Sequence, residues 1–206
     1  MGSAVPKQFT ALGDKPLISW SLDVLERAGC SPVIVVTPAD LLDETRALVS
    51  HATTSVVVTG GDSRHASIAR GLDEVRAERV VVHDAARPFV TEAEVRAVLA
   101  ALDEAPGALA AQPVDDTLKR VEAGRVVATV DREGLWRAQT PQAFRTDELR
   151  DAHRRAAEEG FEATDDAALL ERYGREVVVV EGSPRNFKVT SPQQLDLAQE
   201  LAGHRP

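Results

Sequence analysis

Val80-Val81-Val82-His83-Asp84-Ala85-Ala86-Arg87-Pro88 is the stretch on which the reading of this chain turns. Its opening run of β-branched residues is the mark of a short strand buried on both faces. In open α/β sheets, ligands bind just beyond the carboxyl ends of such strands. Directly behind the run stand a carboxylate (Asp84) and a guanidinium (Arg87). Between them Ala85 and Ala86 leave room for a ligand to approach the backbone. The plainer reading is a strand end with a surface ion pair and a turn proline, and the stretch alone does not separate the two.

Working outward, strand-like and helix-like segments alternate. Helices are expected over 16–28, 39–49 and 64–76, and strands at Val33–Val36, Val56–Val58, Val80–Val82 and Leu109–Val114. Thr91 with Glu94 forms a capping box ahead of Val95, Val98, Leu99 and Leu102, which lie at helical spacing. Ser191 with Gln194 repeats the signal before the last helix. Thr117–Val121 and Val126–Val130 flank Glu122-Ala123-Gly124-Arg125 and read as a hairpin with half-polar strands. The alternation predicts one α/β domain over 1–206, doubly wound around a mostly parallel sheet, with a protruding hairpin arm over 116–134. No apolar strand precedes the loop-like residues 2–9, although doubly wound nucleotide-binding folds begin with a strand and a glycine-rich turn.

Composition narrows the function. With 43% hydrophobic and 28% charged residues, 206 residues suffice for an ordinary globular core. A formal net charge of −9 argues against a general nucleic-acid binder but leaves room for an anionic small substrate held by a few cations in a cleft. The apolar runs are too short for a membrane span, and residues 1–20 do not read as a signal peptide. Cys30 stands alone and the histidines show no metal spacing. A cytoplasmic location is the expectation.

Further polar clusters punctuate the chain. Lys7 follows Pro6 ahead of a helix and suits a phosphate as a mobile point charge. Gly60-Gly61-Asp62-Ser63-Arg64-His65-Ala66-Ser67 follows a strand and opens a helix, where backbone amides favour anions. Asp115-Asp116-Thr117-Leu118-Lys119 and Asp131-Arg132 bracket the hairpin, Trp136 reads as a packing anchor, and Thr140-Pro141-Gln142 follows. Thr164-Asp165-Asp166 reads as a helix cap, and Lys188 as a lysine on a strand edge. Each lysine alone is as consistent with a solvated surface group.

Taken together, Pro6-Lys7-Gln8-Phe9, Gly60-Gly61-Asp62-Ser63-Arg64, His83-Asp84-Ala85-Ala86-Arg87-Pro88, Asp116-Thr117-Leu118-Lys119, Asp131-Arg132 with Gly134-Leu135-Trp136, Thr140-Pro141-Gln142, Thr164-Asp165-Asp166 and Lys188-Val189-Thr190 resemble the 2-C-methyl-D-erythritol 4-phosphate cytidylyltransferase family. The resemblance implies transfer of a cytidylyl group from CTP to methylerythritol phosphate, with Mg2+ as cofactor and a homodimer clasped by the arm. It implies catalytic roles for Lys7, Lys188 and Asp84, with Asp84 also near the metal. Lys7, Gly61, Asp62, Arg64, Ser67 and Ala85 are implied as CTP contacts. Asp84, Arg87, Thr164 and Lys188 are implied near the polyol phosphate, with Thr117, Arg132 and Thr140 reaching it as arm residues from the neighbouring subunit. The family opens with a strand and a Pro-Ala-Ala-Gly-x-Gly-x-Arg loop that this sequence does not contain. Two starts are therefore expected: an internal methionine at Met1, or an incomplete chain. Ribitol 5-phosphate as substrate and an inactive dimeric fragment stand as the alternatives.

Overall fold

The computed structural model describes residues 9–50 and 55–203. A two-strand turn, β1 (Ala11–Leu12) and β2 (Lys15–Pro16), leads into α1 (Leu17–Arg27). Pro16 caps this helix from outside rather than filling its first turn, and Gly29 ends it at φ 94°, a left-handed angle that favours glycine. β3 (Val33–Thr37) pairs in parallel with β4 (Ser55–Thr59). The helix expected over 39–49 is interrupted. A single 3-10 turn over Ala39–Leu41 gives way to α2 (Leu42–Leu48), because Leu41 leaves the helical region at φ −111°, ψ 5°. α3 (Arg64–Glu74) stops before residue 76, where Val75 turns to extended backbone.

β5 (Arg79–Val82) carries the opening apolar run. α4 (Glu92–Ala100) follows with its capping box intact: Glu94 N–H donates to Thr91 Oγ1 at 3.2 Å, and Thr91 N–H to Glu94 Oε2 at 2.8 Å. β6 (Gly107–Pro113), the hairpin β7 (Leu118–Glu122) and β8 (Arg125–Val130), β9 (Trp136–Arg145), α5 (Thr146–Glu159), α6 (Asp166–Arg172), β10 (Val177–Glu181) and α7 (Pro192–Gly203) complete the order.

The main sheet runs β10-β6-β9-β5. β10 is parallel to β6, and β9 is antiparallel to both β6 and β5. So β5, β6 and β10 share one direction and β9 alone opposes them, returning from the hairpin. The sequence reading treats β9 as an anchor plus a motif rather than a strand. Its Pro141 cannot donate to a ladder, and it sits where the β6–β9 register shifts opposite Leu109 and Ala111. The core gathers where this sheet meets α5 and α6, around Phe144, Leu149, Leu169 and Leu170. Among the described residues the hairpin pairs only with itself, and almost all of its residues are exposed.

Among the described residues, β3 and β5 do not pair with each other. Both edges face a cleft of about 830 Å³ that reaches from Val35, Ile68 and Val81 to Asp84 and Lys188. This open edge explains why Val80 and Val81 are only half-buried, where full burial on both faces is expected from the sequence.

Candidate active site

The site begins where β5 ends. Asp84 leaves the strand in a turn closed by Arg87 N–H donating to Asp84 O at 2.9 Å. Val189 N–H donates to Ala86 O at 2.8 Å and lays residues 186–190 alongside this turn. That segment is irregular rather than the strand edge expected for Lys188. It is nevertheless fixed. Asn186 is fully buried, its Nδ2 donates to Thr140 O at 2.8 Å, and its carbonyl accepts from Arg87 Nη1 at 2.7 Å. Gln139 Nε2 donates to Ser183 O at 3.1 Å, and Glu94 Oε1 accepts from Ser183 N–H at 3.0 Å.

This clamp brings Lys188 Nζ to 2.9 Å from Asp84 Oδ2, with Arg87 Nε at 3.6 Å from the same oxygen. Burial by itself would raise the Asp84 carboxyl. The hydrogen bond and charge of Lys188, with Arg64 and Arg87 behind it, outweigh burial and hold the carboxyl below its ordinary value. Burial lowers the Arg87 guanidinium, against the pull of Asp84.

His83 is buried and engaged at both ring nitrogens. Burial dominates and pushes its pKa down to about 4. Its Nδ1 lies 3.0 Å from Thr140 Oγ1 and its Nε2 3.1 Å from Arg87 O. Thr140 Oγ1 also accepts from Asp84 N–H at 3.0 Å. The consistent assignment has the threonine hydroxyl donating to Nδ1 and Nε2–H donating to the Arg87 carbonyl. Thr140 is therefore not an arm residue. It is buried in β9, and its hydroxyl is occupied within its own subunit.

The glycine turn flanks the same cleft. A Cβ on Gly61 would fall 2.4 Å from Ala66 Cβ, so only glycine lets this turn sit on the start of α3. Ser67 Oγ accepts from Gly61 N–H at 3.1 Å and lies 3.3 Å from Gly61 O, which pins the turn. Ser63 caps α3, accepting from Ala66 N–H at 3.1 Å. Asp62 is exposed and Ala85 is half-buried at the cleft wall. Arg64 lines the cleft and pairs with Asp166 at 2.7 Å.

The remaining expected residues lie elsewhere. Thr117 and Arg132 are exposed at the base of the hairpin, where Arg132 donates to Asp115 O, and neither lines the cleft. Thr164 is exposed, and the cap of α6 is Asp165, which accepts from Ala168 N–H at 3.0 Å. Lys7 lies outside the described residues. Asn186, Gln139 and Glu94 carry the clamp, although the sequence gives Glu94 only a helix-capping role and the other two none. The signal available was Asn186 itself, a buried amide standing two residues before the lysine.

An α/β sheet, a glycine turn at a helix start and cations gathered on one carboxylate at a strand end define a nucleotide-handling transferase. The family description for 2-C-methyl-D-erythritol 4-phosphate cytidylyltransferase matches residues 1–203. The enzyme of that name from Aquifex aeolicus is 43% identical over 201 residues, covering 96% of this chain and 90% of the relative. The crystal structure of the Thermus thermophilus enzyme of that name superposes with a TM-score of 0.87 at 38% identity, covering 96% of this chain and 94% of that one. A 4-diphosphocytidyl-2C-methyl-D-erythritol synthase from Anaerococcus prevotii gives a TM-score of 0.88 at 26% identity, covering 98% and 92%. The chain belongs to the 2-C-methyl-D-erythritol 4-phosphate cytidylyltransferase family. Its reaction is cytidylyl transfer from CTP to methylerythritol phosphate in isoprenoid precursor synthesis, and ribitol 5-phosphate is not favoured.

Proposed function

We propose that the Asp84–Lys188–Arg87 cluster at the mouth of the β3–β5 cleft is where the two anionic substrates meet. The observation that carries this is the 2.9 Å contact of Lys188 with Asp84 on a clamped segment. The nucleophile is an oxygen of the polyol phosphate monoester, largely anionic at neutral pH because its second pKa is about 6. It attacks the α-phosphorus of CTP. A new P–O bond forms, the bond to the bridging oxygen breaks, and pyrophosphate leaves with the electron pair. No strong base is required, which suits a site whose histidine is held neutral. Catalysis then rests on alignment and on fixed positive charge facing the α-phosphoryl oxygens.

Lys188 and Lys7 supply that charge in this reading. Asp84 orients Lys188, and Arg87 receives the polyol phosphate. Gly61 and Ala85 give the nucleotide a smooth wall, with Asp62, Arg64 and Ser67 around it. Mg2+ typically binds one or two carboxylates plus substrate phosphates. Asp84 offers one carboxylate, and no cluster of three candidate ligands exists among the described residues, which fits a cation carried mainly by the triphosphate. When bound, Mg2+ would neutralise phosphate charge.

The homodimer is the second part of the proposal. Val121, Val126 and Val127 are each at least half exposed on the hairpin, and Trp136 stands exposed at its base. Such apolar surface on a two-stranded ribbon supports burial against another copy. Thr117 and Arg132 would then face the partner's cleft. In this reading the protein works in the cytoplasm. No described helix is long and apolar enough to cross a membrane.

The deciding experiment is pyrophosphate release from CTP with Mg2+ and either methylerythritol phosphate or ribitol 5-phosphate. Turnover with the first and at most trace turnover with the second is expected. Preference for ribitol 5-phosphate overturns the reading.

A further inference from the structure

We infer that Asp166 is a positioning residue for the nucleotide side of the cleft, acting through Arg64 and itself held by His153. The inference rests on the reading of Arg64 as a CTP contact. Arg64 is the first residue of α3, next to the Gly60-Gly61 turn, and its guanidinium is partly open at 39% side-chain exposure. A free arginine there would sample many rotamers. Its Nη2 instead donates to Asp166 Oδ2 at 2.7 Å, and Asp166 is 1% exposed.

The carboxylate is anchored from behind. His153 of α5, also buried, brings Nε2 to 3.0 Å from Asp166 Oδ1. The His153 ring lies against His65, the neighbour of Arg64, with centroids 4.3 Å apart. Gln142 of β9 fixes the start of α6 by donating to Asp165 Oδ2 at 2.9 Å and accepting from Ala167 N–H at 3.2 Å. So α5 and β9 brace the start of α6, and Asp166 there holds the guanidinium. A carboxylate taking one fork of an arginine leaves the remaining N–H donors presented in a fixed plane, the geometry that recognises phosphate oxygens bidentately. Burying Asp166 carries a desolvation cost that this arrangement repays only with its partners in place.

The test is a double-mutant cycle on CTP kinetics with Arg64→Lys, Asp166→Asn and the pair, melting temperatures being followed in parallel. Asp166→Asn alone is expected to raise KM for CTP by about 10-fold, the scale of one charge-assisted hydrogen bond, and to change kcat less. The pair should be no worse than Arg64→Lys alone. Asp166→Glu, which keeps the charge, should recover part of the affinity, and it serves in the same cycle if Asp166→Asn does not fold. Fully multiplicative effects, or a KM unchanged by Asp166→Asn, overturn the positioning role. An unchanged KM in Arg64→Lys together with Arg64→Ala instead removes Arg64 from the CTP site, which is failure of the underlying reading.

Discussion

Lys188 Nζ lies 2.9 Å from Asp84 Oδ2, and that contact joins the end of β5 to a segment near the other end of the chain. Lys188 is the more exposed partner, with 44% of its side chain open against 19% for Asp84. The carboxylate therefore works as a seat and the ammonium as the group offered to the cleft. Replacing Lys188 with Ala should lower turnover by about 100-fold or more, the scale of losing one preorganised donor aimed at developing negative charge. Initial rates at saturating CTP would measure it, and near-normal kcat removes Lys188 from the catalytic set.

A second prediction concerns Gly61. A methyl group added at its Cα would meet Ala66 Cβ at 2.4 Å, inside any tolerated contact. Gly61→Ala must push the turn off α3, at about 1–3 kcal/mol for overpacking. For a chain of this size that corresponds to a melting temperature lower by about 2–12 °C. KM for CTP should rise with it, since the turn is proposed to bound the nucleotide. Gly203, where a Cβ meets nothing within 4 Å, provides the control: Gly203→Ala should leave both quantities unchanged. Equal behaviour of the two variants would show that the close approach at Gly61 is relieved without cost.

His83 makes stability pH-dependent in a defined direction. Its folded pKa is about 4, against about 6.5 for an unfolded histidine. Between those values the unfolded chain binds more protons, so stability rises with pH through the window and is lost as pH falls. From pH 7 to pH 5 this one residue should remove about 2 kcal/mol. Urea unfolding of wild type and His83→Gln at both pH values isolates its share, because other titrating groups, including His65, remain in both proteins. Identical pH slopes in the two would mean that His83 is not held neutral by burial.

Arg132 bears on the proposed dimer. Mixing Arg132→Ala subunits with Lys7→Ala subunits should restore part of the activity, since one site in each heterodimer would then be intact. The assay is turnover after subunit exchange, with heterodimers verified by tagged pull-down. Verified heterodimers without recovered activity place Arg132 outside a shared site.

Much of the fold and the middle of the site are legible in the sequence because the signals are local. The β5 run, the capping box of Thr91 and Glu94, and the Gly60-Gly61 turn each depend on neighbours within a few residues. β9 is not legible, since Pro141 and the buried glutamines break the expected strand pattern and become sensible only at a register shift beside β6. Thr140 is misplaced for the same reason: a hydroxyl near an arm motif looks available until Asp84 N–H and His83 are found on it. Lys188 is legible as a candidate but its support is not, because Asn186, Gln139 and Glu94 act through contacts distant in the chain.

The cleft between β3 and β5 yields the last prediction. Val33–Val36 and Val80–Val82 line it from opposite sides, with Leu22, Leu25, Ile68 and Leu72 among the side chains around it. Each of those strands has a hydrogen-bonded neighbour on one side only among the described residues. Ala85 stands half-buried on the cleft wall. Ala85→Leu fills space proposed for the nucleotide, at about 1–3 kcal/mol for overpacking. KM for CTP should therefore rise by about 10-fold, with a smaller change in kcat. Initial rates over a range of CTP concentrations measure both quantities. An unchanged KM would place the nucleotide outside this cleft.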